Sequence, residues 1–235
     1  MKKLLIATAV AMTFSMTAQA ANENTAQLKV IGTLTNDACT PEMTGGGTVD
    51  FGTHYVDTLS ATDTNQLGKK DLTLTINCQS PTKVGWTIQD NTVGEAASIT
   101  IVNPGWNEGD DVWTSDGRFG VGKTAGGVNI GAYAVTLNQN GATADGKAAT
   151  LVEGGMSGEQ VVWTHFNAGS DYDNVTNDGA SEITLTTDTG DYLPTAFTTG
   201  VFPMRVSLAV QKTSTLAITD NTPIVGLATI TLRYL

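Results

Sequence analysis

Leu72-Thr73-Leu74-Thr75-Ile76-Asn77-Cys78 changes from apolar to polar at almost every step. Successive side chains on an extended backbone point to opposite faces, so this spacing puts Leu72, Leu74 and Ile76 on a covered face and the threonines on a wet one. The stretch reads as a half-buried β-strand. The same alternation appears at Leu28, Val30 and Leu34, at Trp86 and Ile88, and at Tyr133, Val135 and Leu137. It returns at Val161 and Trp163, at Ile183 and Leu185, at Val206, Leu208 and Val210, and at Ile230, Leu232 and Tyr234. Turn clusters separate these runs: Gly45-Gly46-Gly47, Pro104-Gly105, Asp116-Gly117, Asn140-Gly141 and Asp178-Gly179. No apolar stripe of helical period runs beyond a turn or two. The expected fold is all-β, an antiparallel sandwich or barrel.

Composition supports that class. Of 235 residues 40% are hydrophobic, enough for one sizeable core, and the 26 glycines disfavour a helical bundle. No Pro- or Ser-rich linker, charge block or repeat divides the chain, so one domain over residues 21–235 is expected. Residues 91–116 and 141–158 read as long surface loops on it. Twelve basic against 23 acidic residues give a formal charge of −11. Such a field repels phosphate backbones and anionic lipid, which argues against nucleic-acid and membrane-surface partners.

Residues 1–20 read as a secretory signal peptide. Lys2 and Lys3 precede an uncharged apolar run from Leu4 to Met16, and Ala18-Gln19-Ala20 supplies a small-x-small cleavage site. The run is too short for a membrane span, and no other segment approaches the roughly 20 apolar residues a span needs. Export through an oxidising compartment follows. There the two cysteines, Cys39 and Cys78, are expected to form one disulfide.

Catalytic and metal-binding patterns are weak. Gly117-Arg118-Phe119-Gly120-Val121-Gly122-Lys123-Thr124 matches GxxxxGK[ST] letter for letter. A working phosphate loop needs a buried strand before it and a helix after it. Here a polar stretch precedes it and Ala125-Gly126-Gly127 follows, so the match reads as chance. Ser157 misses the GxSxG spacing, His165 stands without a triad, and the carboxyls of Asp110, Asp111, Glu153 and Asp171 form no specific pair. Asp171-Tyr172-Asp173-Asn174 offers oxygen ligands without the EF-hand spacing. Cys39, Cys78, His54 and His165 lack zinc-ligand spacing. The expectation is a protein that is not an enzyme, with no metal and no cofactor.

Three local features together resemble subunits of fimbriae assembled by the chaperone–usher pathway, in particular fimbrial-like exported proteins of enterobacteria. The first is the opening Leu28-Lys29-Val30-Ile31-Gly32-Thr33-Leu34-Thr35-Asn36-Asp37-Ala38-Cys39, an alternating strand with a glycine seven residues before the first cysteine. The second is Val49-Asp50-Phe51-Gly52, similar to a short strand of that family, followed by a second cysteine at Cys78. The third is the ending Gly226-Leu227-Ala228-Thr229-Ile230-Thr231-Leu232-Arg233-Tyr234-Leu235.

This resemblance implies an immunoglobulin-like sandwich that lacks its last strand and is completed by a strand from another molecule. Implied partners are a periplasmic pilus chaperone, an outer-membrane usher and neighbouring fimbrial subunits, and the implied destination is the cell surface. Ile230, Leu232 and Tyr234 are then expected to line the groove. Donor extensions in the family carry several alternating apolar residues, whereas residues 21–27 here are short and polar. Either Leu28, Val30 and Leu34 share the donor role, or the subunit polymerises differently, or the sandwich is self-complemented. A second expectation, of a different class, is a carbohydrate-binding adhesin with Trp106 and Trp113 in its sugar site.

Overall fold

A computed structural model describes residues 28–32, 38–106, 110–157, 160–166, 173–188 and 190–235. The chain divides into a unit ending at Thr35 and a unit running from Asn36 to Leu235. In the first, residues 28–32 form no strand, and Leu28 and Val30 are exposed rather than half-buried as the alternation suggested. The expected signal peptide and Leu34 lie outside the described residues.

The second unit is an antiparallel β-sandwich. Its strands are β1 (Cys39–Met43), β2 (Asn65–Thr82), β3 (Val84–Asp90), β4 (Phe119–Gly120), β5 (Gly131–Leu137) and β6 (Thr143–Ala144). They continue with β7 (Lys147–Ala148), β8 (Thr150–Ser157), β9 (Gln160–His165), β10 (Glu182–Thr186), β11 (Phe197–Val210) and β12 (Ala228–Tyr234). One sheet runs β1-β2-β11-β5-β4, with β6 paired to β11 and β7 to β6. The other runs β12-β3-β10-β8-β9. Between them Trp86, fully buried, meets Phe202 edge-on at 5.7 Å, and Phe197 packs on the same Phe202. Leu74, Ile76, Leu137, Ile183 and Leu185 join this core, and they are the residues the alternation placed on covered faces.

Two long strands carry the first sheet. β2 and β11 pair along nearly their whole length, from Asn65↔Val210 to Thr82↔Phe197. Near one end Leu208 faces Gly68 while Ala209 faces Gln66, so Leu67 is an extra residue in β2. Gly68 sits there at φ 106°, a conformation that glycine adopts without a Cβ clash.

Three expectations need correction. Residues 141–158 are not only a surface excursion, because β8 runs through them with Leu151 and Val152 buried. Residues 49–52 form no strand; Val49 packs against the core from an irregular segment. The first strand of the sandwich is instead β1, a proline-containing segment with little apolar character. The described parts of the 91–116 stretch are irregular as expected, but they are not only surface loops: a bridge joins Ile101 to Val112, and both side chains are buried in a cluster with Ala132, Ala134 and Ala209. Residues 117–124 contain two-residue β4 and no helix follows them, so the phosphate-loop pattern has no phosphate-loop structure.

Candidate functional site: an apolar trench beside the last strand

The Cys39–Cys78 disulfide is formed and fixes the edge of the first sheet. Cys39 and Cys78 stand directly opposite in the β1–β2 ladder. The next pair outward, Ala38 and Gln79, is hydrogen-bonded through Gln79 N–H to Ala38 O. Hydrogen-bonded and non-hydrogen-bonded pairs alternate in an antiparallel ladder, so Cys39, Pro41 and Met43 turn their backbone groups away from β2. Proline has no N–H to present there, which closes that position to strand pairing. The N–H of Cys39 is also taken, by the phenol oxygen of Tyr234 at 2.9 Å.

β12 is the corresponding edge of the second sheet, and it is built differently. It pairs with β3 alone among the described residues, Ala228↔Asp90 through Tyr234↔Val84. Asn91 N–H to Leu227 O and Leu235 N–H to Lys83 O set the phase of that ladder. The odd-numbered residues of β12 therefore bond to β3, and Ala228, Ile230, Leu232 and Tyr234 direct their N–H and C=O groups to the free edge. Ala228, Ile230 and Leu232 also turn their side chains inward, where they pack against the core while staying partly accessible.

Beside this edge lies an open trench of about 700 Å³. Its floor is the inner face of the first sheet: Leu72 of β2, Tyr133 and Val135 of β5, and Met204, Val206 and Leu208 of β11. Ile88, Ala228 and Ile230 form the wall from the second sheet, while Met43, Phe51, Leu59 and the segment 218–227 border it. A shallower hollow between Pro41, Met43, Leu74 and Ile230 continues it between β1 and β12. Tyr133 stacks on Phe119 with ring centres 5.0 Å apart, and burial, with Asp90 nearby, pushes its phenol well above the usual range. Gly226 leads the chain into β12 past this ring: a Cβ there would stand 2.5 Å from Tyr133 Cε1 and 2.9 Å from Gly120 O.

The sequence-predicted site residues separate accordingly. Ile230 lines the trench, Leu232 packs on the core, and Tyr234, 55% exposed, links β12 to β1. Reading from the ending alone missed the floor, although Val206, Leu208, Tyr133 and Val135 were visible as alternating runs. Trp106 and Trp113 have different surroundings. The face of Trp106 carries the Arg205 guanidinium at 3.8 Å, and Arg205 also pairs with Asp71 and donates to Gly105 O. The backbone N–H of Trp106 donates to Asp173, whose buried carboxyl is raised by desolvation against the lowering effect of that bond. Trp113 is 60% exposed.

His165 bonds through Nδ1 to Phe166 O and meets the Tyr192 ring. Asp171 lies outside the described residues, as does the side chain of Ser157. Among the described residues no group of three His, Cys, Asp or Glu could hold a metal ion, and no helix is long and apolar enough to cross a membrane.

Comparison with known proteins places this architecture in a family. The uncharacterized protein YhcF of Escherichia coli K12 is 31% identical over 245 residues, covering 99% of this chain and 98% of YhcF. The chain belongs to the family of YhcF. A second relative, the protein GltF of the same organism, is 28% identical over 255 residues, covering 100% of this chain and 99% of GltF. The profile described as protein of unknown function DUF1120 matches residues 28–134, from the opening run into β5. Likeness to YhcF extends over almost the whole chain, so it takes in both β1 and β12, the two strands that flank the trench.

Proposed function

We propose that this chain is an exported structural subunit of a surface fimbria whose sandwich is completed by a strand from another molecule. The observation that carries this reading is the free edge of β12 beside an apolar trench. An extended segment laid there would pair with the outward backbone groups of Ala228, Ile230, Leu232 and Tyr234. Its alternate side chains would cover Tyr133, Val206 and Ile230. Strand addition of this kind draws affinity from backbone bonds and register from alternate side chains, each contributing roughly 1.5–3 kcal/mol when fully buried.

The contrast between the two edges supports the same reading. Pro41 and the Tyr234 contact obstruct β1, whereas no proline or lysine guards β12. A periplasmic pilus chaperone would supply the strand first and a neighbouring subunit later, with an outer-membrane usher releasing the product. Leu28 and Val30, alternating and exposed, are suited to the donor role. The disulfide suits passage through an oxidising periplasm.

The test is co-expression of the exported chain with an immunoglobulin-like pilus chaperone and its usher. Expected are a one-to-one chaperone complex in the periplasm and an SDS-resistant ladder in material sheared from unheated cells. A stable free monomer that ignores the chaperone and yields no ladder would overturn the proposal.

A further inference from the structure

The outer face of the second sheet carries a row of side chains used by neither the core nor the trench. Gly154 of β8 stands opposite Trp163 of β9 and opposite Glu182 of β10, so all three share one face. The indole lies over this glycine, where an added Cβ would come within 2.9 Å of Cη2 and 3.0 Å of Cζ3. Gly85 of β3, opposite Arg233 of β12, is covered in the same way by Glu182, whose Cγ lies 2.9 Å from where a Cβ would be. Two glycines thus let two neighbouring side chains lie flat. Indole, carboxyl and guanidinium follow one another across all five strands, a span of roughly 19 Å at four strand spacings.

The chemistry of the row is that of a platform with polar groups along it. Trp163 is half-buried, with one ring face seated on backbone. Glu182 Oε1 has no hydrogen-bond donor although it is buried, and desolvation raises this carboxyl while Arg233 opposes the rise. Turning it toward a ligand hydroxyl therefore breaks no existing bond at Oε1. Thr229 and Thr231, exposed on β12, add hydroxyls on the Arg233 side.

We propose that this face binds an extended carbohydrate, with Trp163 stacking on the C–H face of one pyranose ring and Glu182 and Arg233 meeting hydroxyls of the rings that follow along the row. A sugar ring is apolar on its faces and polar around its rim, so it needs a flat aromatic surface flanked by an acceptor and a donor. A carboxylate is the first and a guanidinium the second. The absence of a deep cavity here, among the described residues, suits an extended oligosaccharide. At Trp106, by contrast, one ring face already carries the Arg205 guanidinium.

The experiment applies the disulfide-intact mature chain to a glycan array and titrates the strongest array glycan by intrinsic fluorescence. Saturable binding is expected, weakened at least tenfold by Trp163→Ala and by Glu182→Gln and unchanged by Trp113→Ala. Glu182→Gln keeps the shape of the side chain, so its unaltered melting curve separates loss of binding from loss of fold. No array binding by the natural chain, binding that survives both substitutions, or binding lost only with Trp113→Ala would each overturn the proposal.

Discussion

The phenol oxygen of Tyr234, the next-to-last residue, accepts the backbone N–H of Cys39, the first residue of the first strand. One hydrogen bond thus ties the edge of one sheet to the edge of the other at the end of the trench. Tyr234→Phe keeps the ring and removes the acceptor. The expected outcome is a loss of about 1 kcal/mol in urea unfolding, the usual net worth of such a bond. Hydrogen exchange at the Cys39 amide should quicken, and an unchanged rate would show that the contact is not kept in solution.

Neighbouring positions on β12 should respond in opposite ways. Leu232 packs inward, whereas Thr231 is exposed on the outer face and bonds its backbone to β3. Leu232→Asp places a charge against the core and is expected to abolish chaperone capture and lower stability by several kcal/mol, on the order of other buried charges without a partner. Thr231→Asp should leave both nearly unchanged. Co-purification and thermal melting of the pair check this, and equal effects would mean the strand has another register.

Removing the disulfide should cost more than any single surface change. Cys39 and Cys78 are separated by 39 residues and clamp the short β1 to β2. Replacing both by alanine is expected to cost about 2–5 kcal/mol. Urea unfolding under oxidising conditions measures it. Reductant should bring the natural chain to the same midpoint as the double variant.

Asp173 gives a pH dependence with a definite sign. It is 3% exposed, and burial raises its carboxyl above the ordinary range despite the Trp106 N–H bond and nearby Arg205. The native state then holds a proton over a pH window in which the unfolded chain has released it. This group's contribution to stability falls as pH rises through that window, and its full penalty is present at neutral pH. Asp173→Asn can still accept the backbone N–H of Trp106 without the charge. The variant is expected to gain stability over the natural chain at pH 7, with the gain shrinking toward pH 4 in parallel unfolding curves.

Much of the sandwich was legible because β2 and β11 have one covered and one wetter face over part of their length, and alternation reports that asymmetry, while β3, β5 and β10, buried on both faces over most of their length, alternate large apolar residues with glycine, alanine and threonine. β8 was hidden for the opposite reason. Leu151 and Val152 are adjacent and both buried, so no alternation remains, and Gly154-Gly155 resembles a turn. β1 was hidden by Pro41 and Glu42, and it is a strand through its ladder to β2 and the disulfide. For the site, the ending located one wall of the trench. Its floor comes from β2, β5 and β11, whose meeting depends on sheet order, and no local pattern reveals that. Trp106 against Arg205 is likewise a contact between residues 99 positions apart.

The free edge of β12 makes thermal resistance a property of the solution as well as of the sequence. Any molecule that occupies the trench and ignores the unfolded chain raises the melting temperature with the logarithm of its concentration. If other copies of this chain supply the strand, a hundredfold dilution lowers the observed melting temperature. If a different protein supplies it, purified samples melt alike at every dilution until that protein is added.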